Sequence, residues 1–172
     1  QAAVMALLQR RLARVAGVSS KETKGLKLFR YAATPWSGSR SSYGGLYSPS
    51  EKSIWVKRPP RGKFHSTPGV DAQFRSERGR DILKHEIGHH VWDRLPISVR
   101  ERIKRDPDFA DAALDVAFDR PHYEHYKHSE VFAELYADQR NDLGKQRWKM
   151  LPANRQQRKL LSYALKAIRR QR

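Results

Sequence analysis

The segment that most limits the fold is DILKHEIGHHVWDRL, residues 81–95, where three histidines and a glutamate lie within six consecutive positions. The apolar residues around them recur close to the 3.6-residue period of an α-helix, and Pro96 follows as a stop signal. They are Ile82, Leu83, Ile87, Val91, Trp92 and Leu95. We therefore predict a helix that buries one face although polar groups are costly to bury there. Gly88 weakens a helix by about 1 kcal/mol relative to alanine, which indicates that another element packs closely against it.

The spacing of the polar residues suits a metal ion. His85 and His89 are four residues apart, so a helix projects both imidazoles from one face, with Glu86 beside them. In this HExxH arrangement two neutral imidazoles bind one ion, and the glutamate reaches the attacking water. The alternative is a pair of core histidines that hydrogen-bond to neighbouring groups. His90 points about 100° away from His89 around the helix, so a capping or supporting role is predicted for it.

A catalytic zinc site needs three protein ligands and one open position. The segment HYEHYKHSEVFAELYADQR, residues 122–140, offers a third ligand. From Ser129 onward its apolar stripe predicts a helix, with Ser129 as the N-cap. Glu130 and Glu134 are four apart on one face of that helix. This spacing suits one carboxylate that binds the metal and one that orients a ligand histidine.

Together the two segments resemble the gluzincin metallopeptidases. HExxH followed by a helix with E-x-F-A-E, residues 130–134, is most similar to the catalytic domain of anthrax lethal factor and to related bacterial toxin and phage metallopeptidase domains. The resemblance implies an α+β, zincin-like fold: a small mixed sheet, a HExxH helix and a second ligand-bearing helix. It also implies one Zn²⁺ per chain. The implied roles are His85, His89 and Glu130 as ligands, Glu86 as the catalytic base and Glu134 as the partner of a ligand histidine.

The same resemblance implies a zinc-dependent metalloendopeptidase that cleaves a protein substrate, in a bacterial toxin, an effector or a phage-associated protease. The family has a tyrosine seven residues before the ligand glutamate, which donates to the oxyanion. Tyr123 has that position, and Tyr126 is the alternative donor. His122, His125 and His128 are open to three roles: surface residues, substrate contacts or, for one of them, a rival third ligand. The resemblance favours a secreted or delivered effector, although the chain shows no signal peptide.

Other segments are predicted to surround this centre. Residues 2–16 are predicted to form a helix that Gly17 ends. LKLFRYAA has strand composition, and GGLYSPSEKSIWVK is predicted to be a hairpin that turns at residues 49–52. Zincins border the cleft with an edge strand, which the resemblance assigns to the 53–57 arm or its neighbour; an ordinary core hairpin is the alternative. Residues 57–76 are predicted to be a loop that overhangs the active site.

Three further helices are predicted in the second half of the chain. Ser98 is the expected cap of a short helix that runs to Arg105, and Asp106 the expected cap of the next, with Pro107 at its first position. The last segment, LPANRQQRKLLSYALKAIRRQR, has a stripe of apolar residues opposite basic ones.

Composition limits the chemistry and suggests partners. At 172 residues, the chain is predicted to be one domain over 1–172, and its first residue, glutamine, suggests a fragment or processed part of a longer chain. Since it has no cysteine, any zinc site must use histidine and carboxylate. No stretch reaches the roughly 20 apolar residues of a membrane span.

The charge is strongly positive, at +17, and residues 143–172 contain no acidic residue. This charge predicts attraction to an acidic protein substrate or, through the basic C-terminal surface, to nucleic acid or another polyanion. It also fits a solvated face that only keeps the protein soluble. The competing function is therefore a non-catalytic basic module that binds nucleic acid or another polyanion and has a zincin-like fold.

Overall fold

Six helices and a three-stranded sheet make up the part of the chain that the computed structural model describes, namely residues 2–32, 45–57, 77–119, 124–139 and 155–171. The fold is therefore mixed α+β and mostly helical, in agreement with the predicted class at this level. In chain order the elements are α1 (Ala2–Ala16), β1 (Leu28–Ala32), β2 (Gly45–Ser48), β3 (Ser53–Lys57), α2 (Glu77–Arg94), α3 (Ile97–Lys104), α4 (Pro107–Asp119), α5 (Lys127–Gln139) and α6 (Arg155–Arg170).

The sheet has the strand order β1-β3-β2. β2 pairs with β3 in antiparallel register, with Ser48 opposite Ser53, so residues 49–52 form the turn of the predicted hairpin. β1 pairs with β3 in parallel and covers its other side. Within the described residues β3 is thus the central strand of the sheet. The 53–57 arm, one of the two arms predicted as the edge strand, is therefore not at the edge. Its neighbour β2, the other arm considered, has that edge position.

α2 is the central helix, in contact with the sheet on one side and with α5 on another. Its residues Leu83, Ile87 and Val91 are completely buried in the core. The predicted close packing at Gly88 is confirmed: a Cβ atom there would lie 2.8 Å from the Cα of Ala133 in α5. The two backbones therefore approach each other closely where α2 has its two metal-ligand candidates.

Two predicted helix caps are wrong. α5 begins at Lys127, so Ser129 lies inside its first turn instead of capping it. α3 begins at Ile97 after Pro96, and no side chain forms a cap hydrogen bond there, so Ser98 is not a cap either. Pro96 itself has the extended N-cap conformation, since its ring fixes φ near −52°. By contrast, the Asp106 cap is confirmed, because Phe109 N–H donates to Asp106 Oδ1 at 3.2 Å.

The terminal helices agree with their sequence patterns. α1 ends at Ala16, and Gly17 follows with a left-handed φ of 68°, as expected for a glycine that ends a helix. α6 buries its apolar stripe, Leu161, Ala164, Leu165 and Ile168.

None of the described helices is long and apolar enough to cross a bilayer. Of the loop predicted over the active site, residues 57–76, Lys57 is instead the last residue of β3, and residues 58–76 lie outside the described residues.

Candidate metal centre

Three side chains from two helices converge where α2 crosses the start of α5. His85 Nε2 and His89 Nε2 are 3.0 Å apart, as expected for neighbouring turns of one helix. The Glu130 carboxylate closes the triangle, with Oε1 3.5 Å from His85 Nε2 and Oε2 3.4 Å from His89 Nε2. All three side chains are mostly buried, with 12–17% of their surface exposed. The three candidate ligands are therefore brought together.

The triangle has the size that a small metal ion requires. Ligand atoms at the usual zinc distance of about 2.0–2.1 Å and at tetrahedral angles lie about 3.3 Å from one another. The observed separations, 3.0, 3.4 and 3.5 Å, fall around this value. Within the described residues this is the one group of His, Cys, Asp and Glu side chains arranged to hold a metal ion. Its two nitrogens and one carboxylate could bind such an ion directly.

Each candidate ligand histidine also has a partner at its other ring nitrogen. His85 Nδ1 lies 3.2 Å from Glu134 Oε1, and His89 Nδ1 lies 2.8 Å from Ser129 Oγ. A neutral ring whose Nε2 binds a metal has its proton on Nδ1, where these oxygens accept it. Glu134 and Ser129 therefore hold both rings in the tautomer and orientation that point Nε2 at the centre.

The charge state of His85 depends on the surrounding carboxylates. Burial lowers the pKa of His85, but the hydrogen bond to Glu134 and the negative charges of Glu130 and Glu86 together outweigh burial and raise it to about 9. The raised pKa means that a metal ion competes with a proton for this ring, so metal binding is coupled to proton release.

Glu86 lies beside the ligand triangle under the edge of the sheet. Its side chain is buried, and burial is the main reason that its pKa is raised above the ordinary value. The backbone N–H of Tyr47 in β2 donates to its carboxylate. At Gly45, a Cβ atom would lie 2.6 Å from Glu86 Oε1, so a side chain there would push the carboxylate out of this position. β2 therefore fixes the position of the carboxylate.

The other histidines of the described chain do not join the triangle. His90 is fully buried, with Nε2 2.9 Å from the carbonyl oxygen of Lys24 and Nδ1 3.1 Å from the Tyr47 hydroxyl. Burial is the main reason that its pKa falls to about 4. As predicted, His90 is not a metal-ligand candidate, but it contacts Lys24 and Tyr47 in the core instead of capping a helix or orienting a candidate ligand. His128 stacks on Phe109 with ring centroids 6.3 Å apart. Neither histidine belongs to the metal-ligand group.

The remaining candidates lie on or near the segment before α5. His125 and Tyr126 are exposed, with 61% of Tyr126 accessible to solvent. Tyr123, the predicted oxyanion donor, and His122 lie outside the described residues. The assignment of the donor to Tyr123 or Tyr126 therefore stays a prediction.

Two residues that shape the site, Ser129 and Gly45, have no place in the site predicted from the sequence. Ser129 was assigned to a cap because serine commonly precedes an apolar stripe, yet its position next to Glu130 was a usable signal. Gly45 follows another glycine at the start of a strand, and nothing local distinguishes it from a turn residue. Both roles depend on contacts with α2.

Comparison of the chain with protein-family models, with curated proteins and with solved structures found no match. The chemistry of the site must therefore be argued from its own residues. These residues form three groups: a ligand triangle, two oxygens that orient its histidines, and a buried carboxylate at its side.

Proposed function

We propose that the chain is a zinc-dependent metalloendopeptidase of gluzincin type with a zincin-like fold. The observation that carries the proposal is the convergence of His85 Nε2, His89 Nε2 and the Glu130 carboxylate, with the buried Glu86 beside them. Two histidines and one glutamate are a ligand set of catalytic zinc peptidases, which keep a fourth position open. A toxin, effector or phage-associated role follows only from the resemblance in the HExxH and E-x-F-A-E segments.

The donor set favours zinc over harder cations. Calcium and magnesium prefer oxygen ligands only, whereas imidazole suits zinc and other transition metals. Two histidines and one carboxylate also bind Fe(II) in oxygenases. A buried carboxylate next to the ligands has a direct use in hydrolysis, and this favours zinc here. Zinc, when bound, would supply a Lewis acid that polarises the scissile carbonyl and acidifies water.

The residues of the chain have complementary roles in this reaction. Glu86 removes the proton of the attacking water and returns it to the leaving amine. Its raised pKa suits that exchange, because a base works best when its pKa is close to the working pH. Tyr47 N–H and the space left by Gly45 hold the Glu86 carboxylate in place. Glu134 and Ser129 keep both histidines oriented.

Elemental analysis of the purified protein tests the metal site first. The intact protein is expected to contain one equivalent of zinc, and His85→Ala and Glu130→Ala are expected to lose it. His128→Ala is the matched control, because His128 is on the same helix as Glu130 but outside the triangle, and it should keep its zinc. No zinc in the intact protein after supply at neutral pH would refute the site, and iron in its place would refute the hydrolase assignment.

Hydrolysis is then tested on a peptide library of natural sequences, with cleavage products identified by mass spectrometry. The zinc-loaded protein is expected to cleave a subset of the peptides, whereas Glu86→Gln should keep zinc but lose cleavage by a factor of about 10² or more. If both proteins bind zinc and neither cleaves any peptide, the non-catalytic binding module becomes the better description.

A further inference from the structure

A basic cleft lies between the end of α3, the start of α4 and the outer face of α6. It has a volume of about 370 Å³, and three cations line it: Arg102, Arg105 and Lys159. Residues of the metal centre do not line it. The cleft is within the size range of ligand pockets, although its lining is polar and cationic instead of apolar.

The positive charge of this cleft is not neutralised by its own walls. Its one acidic residue is Asp106. Asp106 Oδ1 accepts from Phe109 N–H, and Oδ2 accepts from Gln156 Nε2 at 2.8 Å. Within the described chain, the three cations make no ion pair with any carboxylate. The cleft thus offers three positive charges to a ligand against the one negative charge of Asp106, whose oxygens already accept hydrogen bonds from neutral donors.

One of these cations is already held in position. The Arg102 guanidinium lies 4.5 Å from the centroid of the Tyr163 ring, which attracts it through the π-electron face. This contact links α3 to α6 across the cleft. An arginine ordered in advance loses less conformational entropy when it binds an anion.

The positive surface continues along α6. This helix of 16 residues is about 24 Å long and contains no acidic residue. Its exposed basic side chains are Arg158, Lys159, Lys166, Arg169 and Arg170. Most of them are arginines, whose planar fork matches two oxygens of a phosphate group. A surface of this length fits a repeating polyanion better than a single phosphate group.

The burial pattern of α6 favours a nucleic acid over a membrane as the partner of this basic surface. An amphipathic basic helix binds a bilayer by inserting its apolar face. In this protein that face is already covered by the core, since Leu161, Ala164, Leu165 and Ile168 are buried. α6 has none of the exposed large hydrophobic residues of the described chain. The surface that remains is suited to a water-exposed phosphate chain.

We propose that the basic cleft and the outer face of α6 bind the phosphodiester backbone of a nucleic acid without reading its bases. The cleft receives one phosphate group between Arg102, Arg105 and Lys159, and the exposed cations of α6 follow the neighbouring phosphates. This inference is independent of the proposed peptidase activity, because none of its residues contacts the metal centre.

Fluorescence anisotropy with a short labelled DNA duplex of arbitrary sequence, and with its single strand, tests this proposal. The variant Arg102→Gln, Arg105→Gln, Lys159→Gln should bind the duplex about tenfold more weakly or worse. Its plot of log K against log salt should be less steep by about 1, because the cleft holds one phosphate group. The matched control Arg10→Gln, Arg14→Gln, Lys27→Gln removes the same charge from exposed positions on α1 and before β1.

The control should lose less than about threefold in affinity, because its three residues neither line the cleft nor belong to α6. Equal losses in both variants would overturn the proposal, since net charge alone would then explain binding. An unchanged affinity in the cleft variant would overturn it too. Preferential binding to vesicles of phosphatidylcholine with phosphatidylserine would reassign the surface to a membrane. Zinc content and thermal unfolding should match the parent protein in both variants, and removal of zinc by a chelator should leave duplex binding unchanged.

Discussion

Single hydroxyl and carboxylate groups decide which nitrogen of each ligand histidine faces the centre. His85 Nδ1 is bound to Glu134 and His89 Nδ1 to Ser129, so both Nε2 atoms point to the same place as Glu130. Such oxygen partners fix the tautomer of a ligand histidine and raise its basicity. The affinity of the site for a metal should therefore depend on residues that do not bind the metal.

Replacing Ser129 tests this dependence. We expect Ser129→Ala to lower zinc affinity by about tenfold to a hundredfold, because the His89 ring loses the oxygen that orients it. Competition with a chromogenic chelator measures the change. Ser98→Ala is a suitable control, since Ser98 is exposed on α3 and is not a helix cap. Equal zinc affinities in both variants would show that Ser129 does not orient His89.

The two glutamates of α5 should differ in the size of their effects. Glu130→Ala removes a ligand, whereas Glu134→Ala removes only a hydrogen-bond partner of His85. We expect zinc affinity to fall by about tenfold to a hundredfold in Glu134→Ala and by clearly more in Glu130→Ala. The same chelator competition measures both. If the order is reversed, Glu134 is the ligand and Glu130 its support.

At the scale of secondary-structure elements, the site depends on how closely α2 and α5 cross. Gly88 faces the Cα and carbonyl oxygen of Ala133, and a Cβ atom would lie 2.8 and 3.2 Å from them. These are backbone atoms, which cannot rotate away as a flexible side chain can. The distance between the two helices is therefore set by the absence of a side chain at residue 88.

Gly88→Ala should separate the helices. Alanine favours a helix by about 1 kcal/mol over glycine, but overpacking a close contact costs about 1–3 kcal/mol, so a net loss of stability is expected. Thermal unfolding should occur at a lower temperature, and zinc affinity should fall because Glu130 moves away from the histidines. Ser162→Ala, at an exposed position in α6, raises helix propensity without a clash and should not destabilise the protein. A more stable Gly88→Ala variant would contradict this account of the crossing.

For the whole molecule, metal binding and folding are expected to be coupled. The three candidate ligands come from α2 and α5, which only the folded chain brings together. A ligand that binds only the folded state stabilises it by about 2.7 kcal/mol at a free concentration one hundred times its Kd. Weak zinc binding by histidines of the unfolded chain would reduce this gain.

Denaturant unfolding with zinc and with a chelator measures this coupling. Zinc should raise the free energy of unfolding by about 2 kcal/mol or more. His85→Ala should show no such increase, whereas His128→Ala should show the full increase because its ring is outside the triangle. An equal gain in His85→Ala would mean that zinc binds elsewhere.

Features that depend on residues close together in the chain could be predicted from the sequence. The apolar period of residues 81–95 predicted most of α2, and strand composition on both sides of a four-residue turn predicted the pairing of β2 with β3. Asp106 was recognised as a cap because a cap bonds to a backbone group only three residues away. Histidines four apart on a predicted helix also had to share a face, so their closeness was expected before any tertiary contact was known.

Contacts between elements that are distant in the chain could not be predicted in this way. A glycine in α2 indicated close packing, but the sequence did not say that Ala133 of α5 is the partner. Ser129 had the local signal of a cap, yet its hydroxyl lies by His89, forty residues earlier in the chain. β3 is the central strand because β1 pairs with the side of β3 that β2 does not cover. No sequence pattern within β3 indicates this pairing. These contacts join residues far apart in the chain, and packing between elements selects them instead of local propensity.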